Sequence, residues 1–175
     1  MSGGAMSSVV ANVGGQSQSP HKVFVYGSLM AEDVCRVLLN RVPQSSPALL
    51  NGHHRYSIKE RVYPAILPVE NKTVAGKVLL GITDPELHIL DEFEGAVPEY
   101  ERSTVEVSLM DTSESLLVQA YVWSNKNDPN LYGDWDFEEW KQLHMKDFVK
   151  MIKMTSGFME KLELPEAKPT VATDE

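Results

Sequence analysis

Five segments rich in β-branched and aromatic residues, 48–59, 63–69, 73–82, 102–110 and 116–123, crowd the middle of this 175-residue chain. Only one helical pattern, TDPELHILDEFEG at 83–95, falls among them. A further strand pattern, 23–26, precedes a helical pattern at 31–40, and a long amphipathic helix is predicted from Asp136 to about residue 161. The order is strand, helix, several strands, short helix, two strands, long helix. That order defines an α+β chain with a mostly strand-built core and helices packed outside it.

Local signals sharpen the boundaries. In the helix at 83–95, Thr83 or Asp84 can cap, Pro85 suits the first turn, and Glu86 favours the positive end. Gly95 supplies the stop. Pro64 and Pro68 interrupt the segment 63–69, and proline cannot donate to a strand ladder, so this segment reads as an edge strand or an irregular loop. Between 102–110 and 116–123, DTSES reads as a hairpin turn. Asp136 and Glu139 have the spacing of a capping box, and Phe137, Trp140, His144, Phe148, Met151 and Ile152 form one stripe behind it. Residues 1–20, rich in Gly, Ser and Gln and free of charged side chains, read as a disordered tail without the marks of a signal or transit peptide. Residues 165–175 read as a second disordered tail, leaving one folded domain over 21–164.

The net charge of −9 sets the chain against phosphate backbones and anionic lipid surfaces, so neither nucleic acid nor membrane is an expected partner. No apolar run approaches the ~20 residues of a membrane span. The single cysteine, Cys35, excludes an internal disulfide and fits a reducing compartment, and the charge and the absence of targeting marks make the cytoplasm the expected location. Cys35 itself reads as a small buried apolar residue.

Two places carry possible chemistry. In the helix at 83–95, Leu87, Leu90 and Glu94 are spaced three and four apart and share a face. Glu94 therefore lies in line with leucines that should be buried, in the last turn, where the helix dipole disfavours an anion. Both effects raise a carboxyl pKa towards the range a general acid/base needs at neutral pH. The bland alternative is a boundary residue that reaches water or pairs with Arg102. Asp91 borders the same stripe, and Glu92 projects away from it. The second place is VFVYGSLM, where a strand passes into Gly27 and Ser28 with no polar linker. Backbone N–H groups are left unpaired at such a start, and glycine allows a carboxylate or oxyanion to come close. The alternative is a plain strand-to-helix turn with Ser28 as N-cap.

YGSL after the first strand, RVYPAI, a Gly-Lys-Val strand, LDEFEG, YERSTVEV and a QAYVW strand form one ordered set that resembles the gamma-glutamyl cyclotransferase-like family. DPNLYGDWDFEEWKQLHMKDF extends the resemblance to the plant branch called avirulence-induced-gene-like proteins. The resemblance implies a small, partly closed mixed β-barrel with peripheral helices. It implies cyclisation of a gamma-glutamyl amide to 5-oxoproline with release of an amine. No cofactor and no metal are expected, because nucleophile and electrophile lie in one molecule. By the resemblance, Glu94 is the acid/base, and Tyr26, Gly27, Ser28 and Leu29 cradle the gamma-glutamyl moiety, with Met30 and Ala31 extending the cradle. Tyr100 either lines the pocket or is a core tyrosine. Arg102 either balances a carboxylate or is a solvated strand residue. The alternative from another class is a stress-related binding module for a gamma-glutamyl-like metabolite, weakly catalytic or not at all, with the proline-rich wall at 63–68 as the place of alteration.

The remaining candidates read as structural. His53 and His54 face opposite sides of a strand with no third metal ligand in evident spacing, and His144 sits at the edge of the core. Trp135 and Trp140 pack, and the acidic cluster around Asp136 is a solvated helix start.

Overall fold

The computed structural model describes residues 20–163, with side chains described to Thr155. Both expected tails lie almost wholly outside the described residues. The elements are β1 (His21–Val25), a 3-10 turn (Ser28–Met30), α1 (Glu32–Leu39), β2 (Ser45–Ile58), β3 (Ala65–Ile82), α2 (Asp84–Gly95), β4 (Tyr100–Leu109), β5 (Ser115–Trp123), β6 (Leu131–Tyr132), α3 (Phe137–Leu143) and α4 (Met145–Glu163). The sheet runs β3-β1-β5-β4-β2, and β2 pairs again with β3, so the five strands close into a barrel. Only β1 and β5 are parallel; the other pairs are antiparallel. The closure is fuller than the partly closed barrel expected. Its cause is the long β2–β3 hairpin, which reaches from Tyr56↔Ala65 to Ser45↔Leu79.

The segments 63–69 and 73–82 are two arms of the single strand β3. Their register jumps between them: Asn51 faces Thr73, whereas His53 faces Pro68. Gly52, at φ 74°, takes up the jump on the opposite strand. The arm carrying Pro68 pairs with β2 alone and is an edge, as proline requires. Gly76 lies where β1 crosses, and an added Cβ there would sit 2.3 Å from the Val25 carbonyl oxygen. The glycine is what allows the two backbones to touch.

Strand periodicity divides β1 between two cores. Phe24 and Tyr26 enter the barrel interior with Leu50, Ile66, Val78 and Val118. Val23 and Val25 face the helices, packing with Val34, Leu39, Leu87, Leu90, Trp140 and Ile152. Thr83 caps α2 and Glu86 completes a capping box, while Pro85 occupies the first turn. The expected long C-terminal helix is two helices. His144, at φ −130° and ψ −17°, breaks it. Asp136 caps α3 by accepting from the N–H groups of Glu138 and Glu139. Trp135, Phe137, Trp140 and Phe148 form a contiguous aromatic cluster, in line with the packing role read for the tryptophans. Cys35 is buried, and its thiol donates to the Leu29 carbonyl. No described helix is long and apolar enough to cross a membrane.

Candidate active site

Between the outer flank of the barrel and α1, α2 and α4 lies a cavity of about 840 Å³. Tyr26, Gly27, Ser28, Leu29, Glu94 and Tyr100 all line it. Sixty-odd residues separate the turn after β1 from the last turn of α2, and the fold brings both to one cavity. Met30 and Ala31 are not part of the lining; Ala31 is buried and begins α1.

The turn owes its shape to packing on both sides. Gly27 sits at φ −128° and ψ −132°, and a Cβ there would lie 2.9 Å from the Pro64 Cδ. Glycine is thus demanded by the proline of RVYPAI, which fills the space a side chain would take. The Tyr100 hydroxyl donates to the Pro64 carbonyl and holds that proline in place. Tyr26 points its ring into the barrel and donates its hydroxyl to the Tyr121 carbonyl, so only its backbone and flank remain for a ligand. Ser28 does not cap α1: a 3-10 turn intervenes, and neither it nor α1 has a side-chain cap. The backbone N–H groups of Gly27, Ser28 and Leu29 have no acceptor among the described residues. They are free donors at a strand-to-helix turn, where carboxylates and oxyanions bind readily.

Arg55 shapes the same turn and was not singled out from the sequence. Its guanidinium donates to the Tyr26 carbonyl at 2.8 Å and to the Ala75 carbonyl at 3.1 Å, and it stacks on Trp135. In a trans peptide the C=O and N–H point opposite ways, so anchoring the Tyr26 carbonyl fixes the Gly27 N–H pointing away from Arg55. Twenty-nine residues separate the partners, and Arg55 sits in an unremarkable stretch of strand, so nothing local marks it.

Glu94 projects from α2 on the face it shares with Leu87 and Leu90. It is only part-exposed, open towards the cavity and enclosed elsewhere. Its carboxylate has no hydrogen-bond or ion-pair partner among the described residues. Burial pushes its pKa up from 4.5 to about 8. Arg102 does not meet Glu94. It pairs instead with Asp91 at 2.9 Å, and the Tyr121 hydroxyl donates to the same Asp91 at 2.7 Å. Asp91 therefore ties α2 to β4 and β5 one turn before Glu94. Tyr100 is both of the things expected of it: a lining residue, and a packed one set edge-on to Trp123. Burial and the nearness of Tyr26 and Glu94 hold its hydroxyl well above the usual range, so it remains a neutral donor. His53 and His54 stand apart from the cavity, with His54 on the Gly133 carbonyl and the Asp134 carboxylate.

Fold and site together define a class: a closed mixed barrel whose first strand ends in donors that, like the enclosed Glu94 lining the same cavity, have no partner among the described residues. The family described as Gamma-glutamyl cyclotransferase, AIG2-like matches residues 23–140. AIG2-like protein D of Arabidopsis thaliana is 60% identical over 149 residues, covering 85% of this chain and 95% of that protein. The chain belongs to the AIG2-like gamma-glutamyl cyclotransferase family. A solution structure of an Arabidopsis thaliana protein, 44% identical, superimposes with a TM-score of 0.63 over 89% of this chain and 98% of its own. A solved gamma-glutamyl cyclotransferase, 12% identical, shares the fold with a TM-score of 0.51, covering 77% of this chain and 87% of its own.

Proposed function

We propose that this cavity binds a gamma-glutamyl amide and cyclises it to 5-oxoproline, releasing the amine. The observation that carries the reading is the meeting of Glu94, enclosed and unpartnered, with the free donors of the 26–29 turn. The N–H groups hold the substrate's carboxylate or the oxygen on which charge develops. Substrate ammonium beside Glu94 lowers its pKa and is met by the ionised carboxylate. Glu94 takes a proton from the ammonium, and the freed α-amine attacks the γ-carbonyl carbon. The ring C–N bond forms as Glu94 returns the first proton to the departing nitrogen, the amide C–N bond breaks, and the second proton of the ring nitrogen passes through Glu94 to the released amine, which leaves as its ammonium. No water is consumed, and holding both reacting groups folded together supplies the proximity.

The test is 5-oxoproline release from glutathione, gamma-glutamyl amino acids and gamma-glutamyl-lysine isopeptide by wild type and Glu94→Gln. Glutamine keeps the shape and cannot carry the proton, so the expected loss is about 10²–10⁴-fold. In wild type, kcat/KM should rise with pH up to about 8, where Glu94 ionises. Activity that survives in Glu94→Gln would remove Glu94 from the role. Binding of one of these compounds without any 5-oxoproline would point to the binding module instead.

A further inference from the structure

We propose that Arg55 is a positioning residue of this site: from behind the 26–29 turn its guanidinium fixes and polarises the peptide between Tyr26 and Gly27, so that the Gly27 N–H meets the oxygen on which charge develops. This rests on the cyclotransferase reading of Glu94 and the turn. In that reaction the γ-carbonyl oxygen turns negative inside a cavity whose charged lining side chains, Glu92 and Glu94, are both acidic. No lysine, arginine or histidine stands among the described lining residues. Positive potential has to reach that oxygen through the backbone donors. Arg55 is the cation bonded to the peptide that carries one of them.

Arg55 is placed as a source of charge rather than as half of an ion pair. It has no ion-pair partner among the described residues. Asp136 and Asp134 are the carboxylates near enough to act on it, and both are engaged elsewhere. Asp134 meets His54 at 3.0 Å, and Asp136 accepts the N–H groups that open α3. The Nε–H of Arg55 is buried with no hydrogen-bond partner among the described residues. A half-buried cation with no carboxylate and an unmet donor costs stability, so packing alone does not account for it. Its charge is directed at two carbonyls, those of Tyr26 and Ala75. A cationic donor draws electron density onto a carbonyl oxygen and leaves the N–H of the same peptide more positive, hence a stronger donor. Trp135 holds the guanidinium, 5.5 Å from its ring centre. The indole N–H of Trp135 donates to the Val62 carbonyl at 2.9 Å, two residues before the Pro64 that confronts Gly27. One tryptophan thus braces both sides of the turn.

The test is 5-oxoproline release by wild type, Arg55→Gln and Arg55→Lys from the best substrate of the panel above, with the Gly27 amide resonance followed by NMR in each protein. In Arg55→Gln, kcat should fall roughly 10–100-fold while KM changes by less than about 3-fold. The Gly27 amide proton should move upfield as the peptide loses its polarisation. The midpoint of kcat/KM against pH should stay near 8, because the enclosure of Glu94 is untouched. Arg55→Lys keeps a cation at the same position and should recover most of the lost kcat. A wild-type kcat in Arg55→Gln overturns the inference. A loss carried by KM alone, or an equal loss in both variants, does so too. A loss accompanied by a midpoint falling towards 4.5 would mean an opened cavity and also overturns it. If Arg55→Gln does not fold, Arg55→Lys decides: kcat and the Gly27 amide should change together or not at all, and one moving without the other overturns the inference. No 5-oxoproline from wild type with any compound overturns the cyclotransferase reading itself, while the Gly27 amide still reports the bond from Arg55.

Discussion

The interior of the barrel and the flank beneath its helices are built from the same strands and finish differently. Inside, Phe24, Leu50, Ile66, Val74, Val78 and Val107 are fully buried and meet one another from all sides. On the flank, Val23, Val25, Leu79 and Leu90 are equally buried, yet α1, α2 and α4 stand far enough off to leave the cavity. One region is stabilised by filling its space, and the other holds a carboxyl group at a cost in stability. β1 serves both, with alternate residues turned to each. It ends where the two regions meet, in the donors of the 26–29 turn.

Filled space should be the most sensitive to truncation. Leu50→Ala, deep in the barrel, should cost about 2–5 kcal/mol in denaturant unfolding, because the closed strands cannot collapse around the hole. A cost under about 1 kcal/mol would mean the barrel is looser than described.

Next in size is the cost of Glu94 itself. Its folded pKa of about 8 lies above the ordinary 4.5, so the folded protein keeps a proton that the unfolded chain has lost between those values. Its contribution is fully present below about 4.5 and is lost as pH rises to about 8. Glu94→Gln should therefore be more stable than wild type by roughly 1–3 kcal/mol at pH 8, discounted for the opening to solvent, and the gain should vanish near pH 4. Thermal unfolding of both proteins across that range measures it.

Gly27→Ala drives a methyl group to 2.9 Å from Pro64, on the well-packed side of the turn. The expected loss is about 1–2 kcal/mol, with a fall in 5-oxoproline release as the donors shift. The smallest effect belongs to the cavity wall. Leu38→Ala, half-buried and facing open space, should cost under about 1 kcal/mol in the same denaturant measurement, and that contrast with Leu50→Ala is the quantitative form of the comparison.

Much of this was legible from local chemistry. The Thr83 and Glu86 spacing specified α2, and the alignment of Glu94 with Leu87 and Leu90 marked a carboxyl group heading for enclosure. DTSES placed the β4–β5 turn, whose Leu109 N–H bonds to the Glu114 carbonyl. Non-local features stayed hidden. Nothing near Arg55 announces its bond to the Tyr26 carbonyl, and nothing near Arg102 chooses Asp91 over Glu94. The contact with Pro64 that demands glycine at 27 comes from a distant loop, beyond the reach of local pattern. The stripe from Phe137 to Ile152 continues across His144, so periodicity could not reveal the break between α3 and α4. Barrel closure depends on a hairpin register that only pairing reveals.

The flank encloses a carboxyl group that has no charge partner among the described residues and is poised to trade a proton near neutral pH. The most direct test is an NMR titration of the Glu94 side-chain carboxyl in the intact protein, assigned by comparison with Glu94→Gln. A midpoint near 8 is the predicted result. A midpoint near the ordinary 4.5 would mean that Glu94 is solvated like any surface glutamate, and would contradict the account.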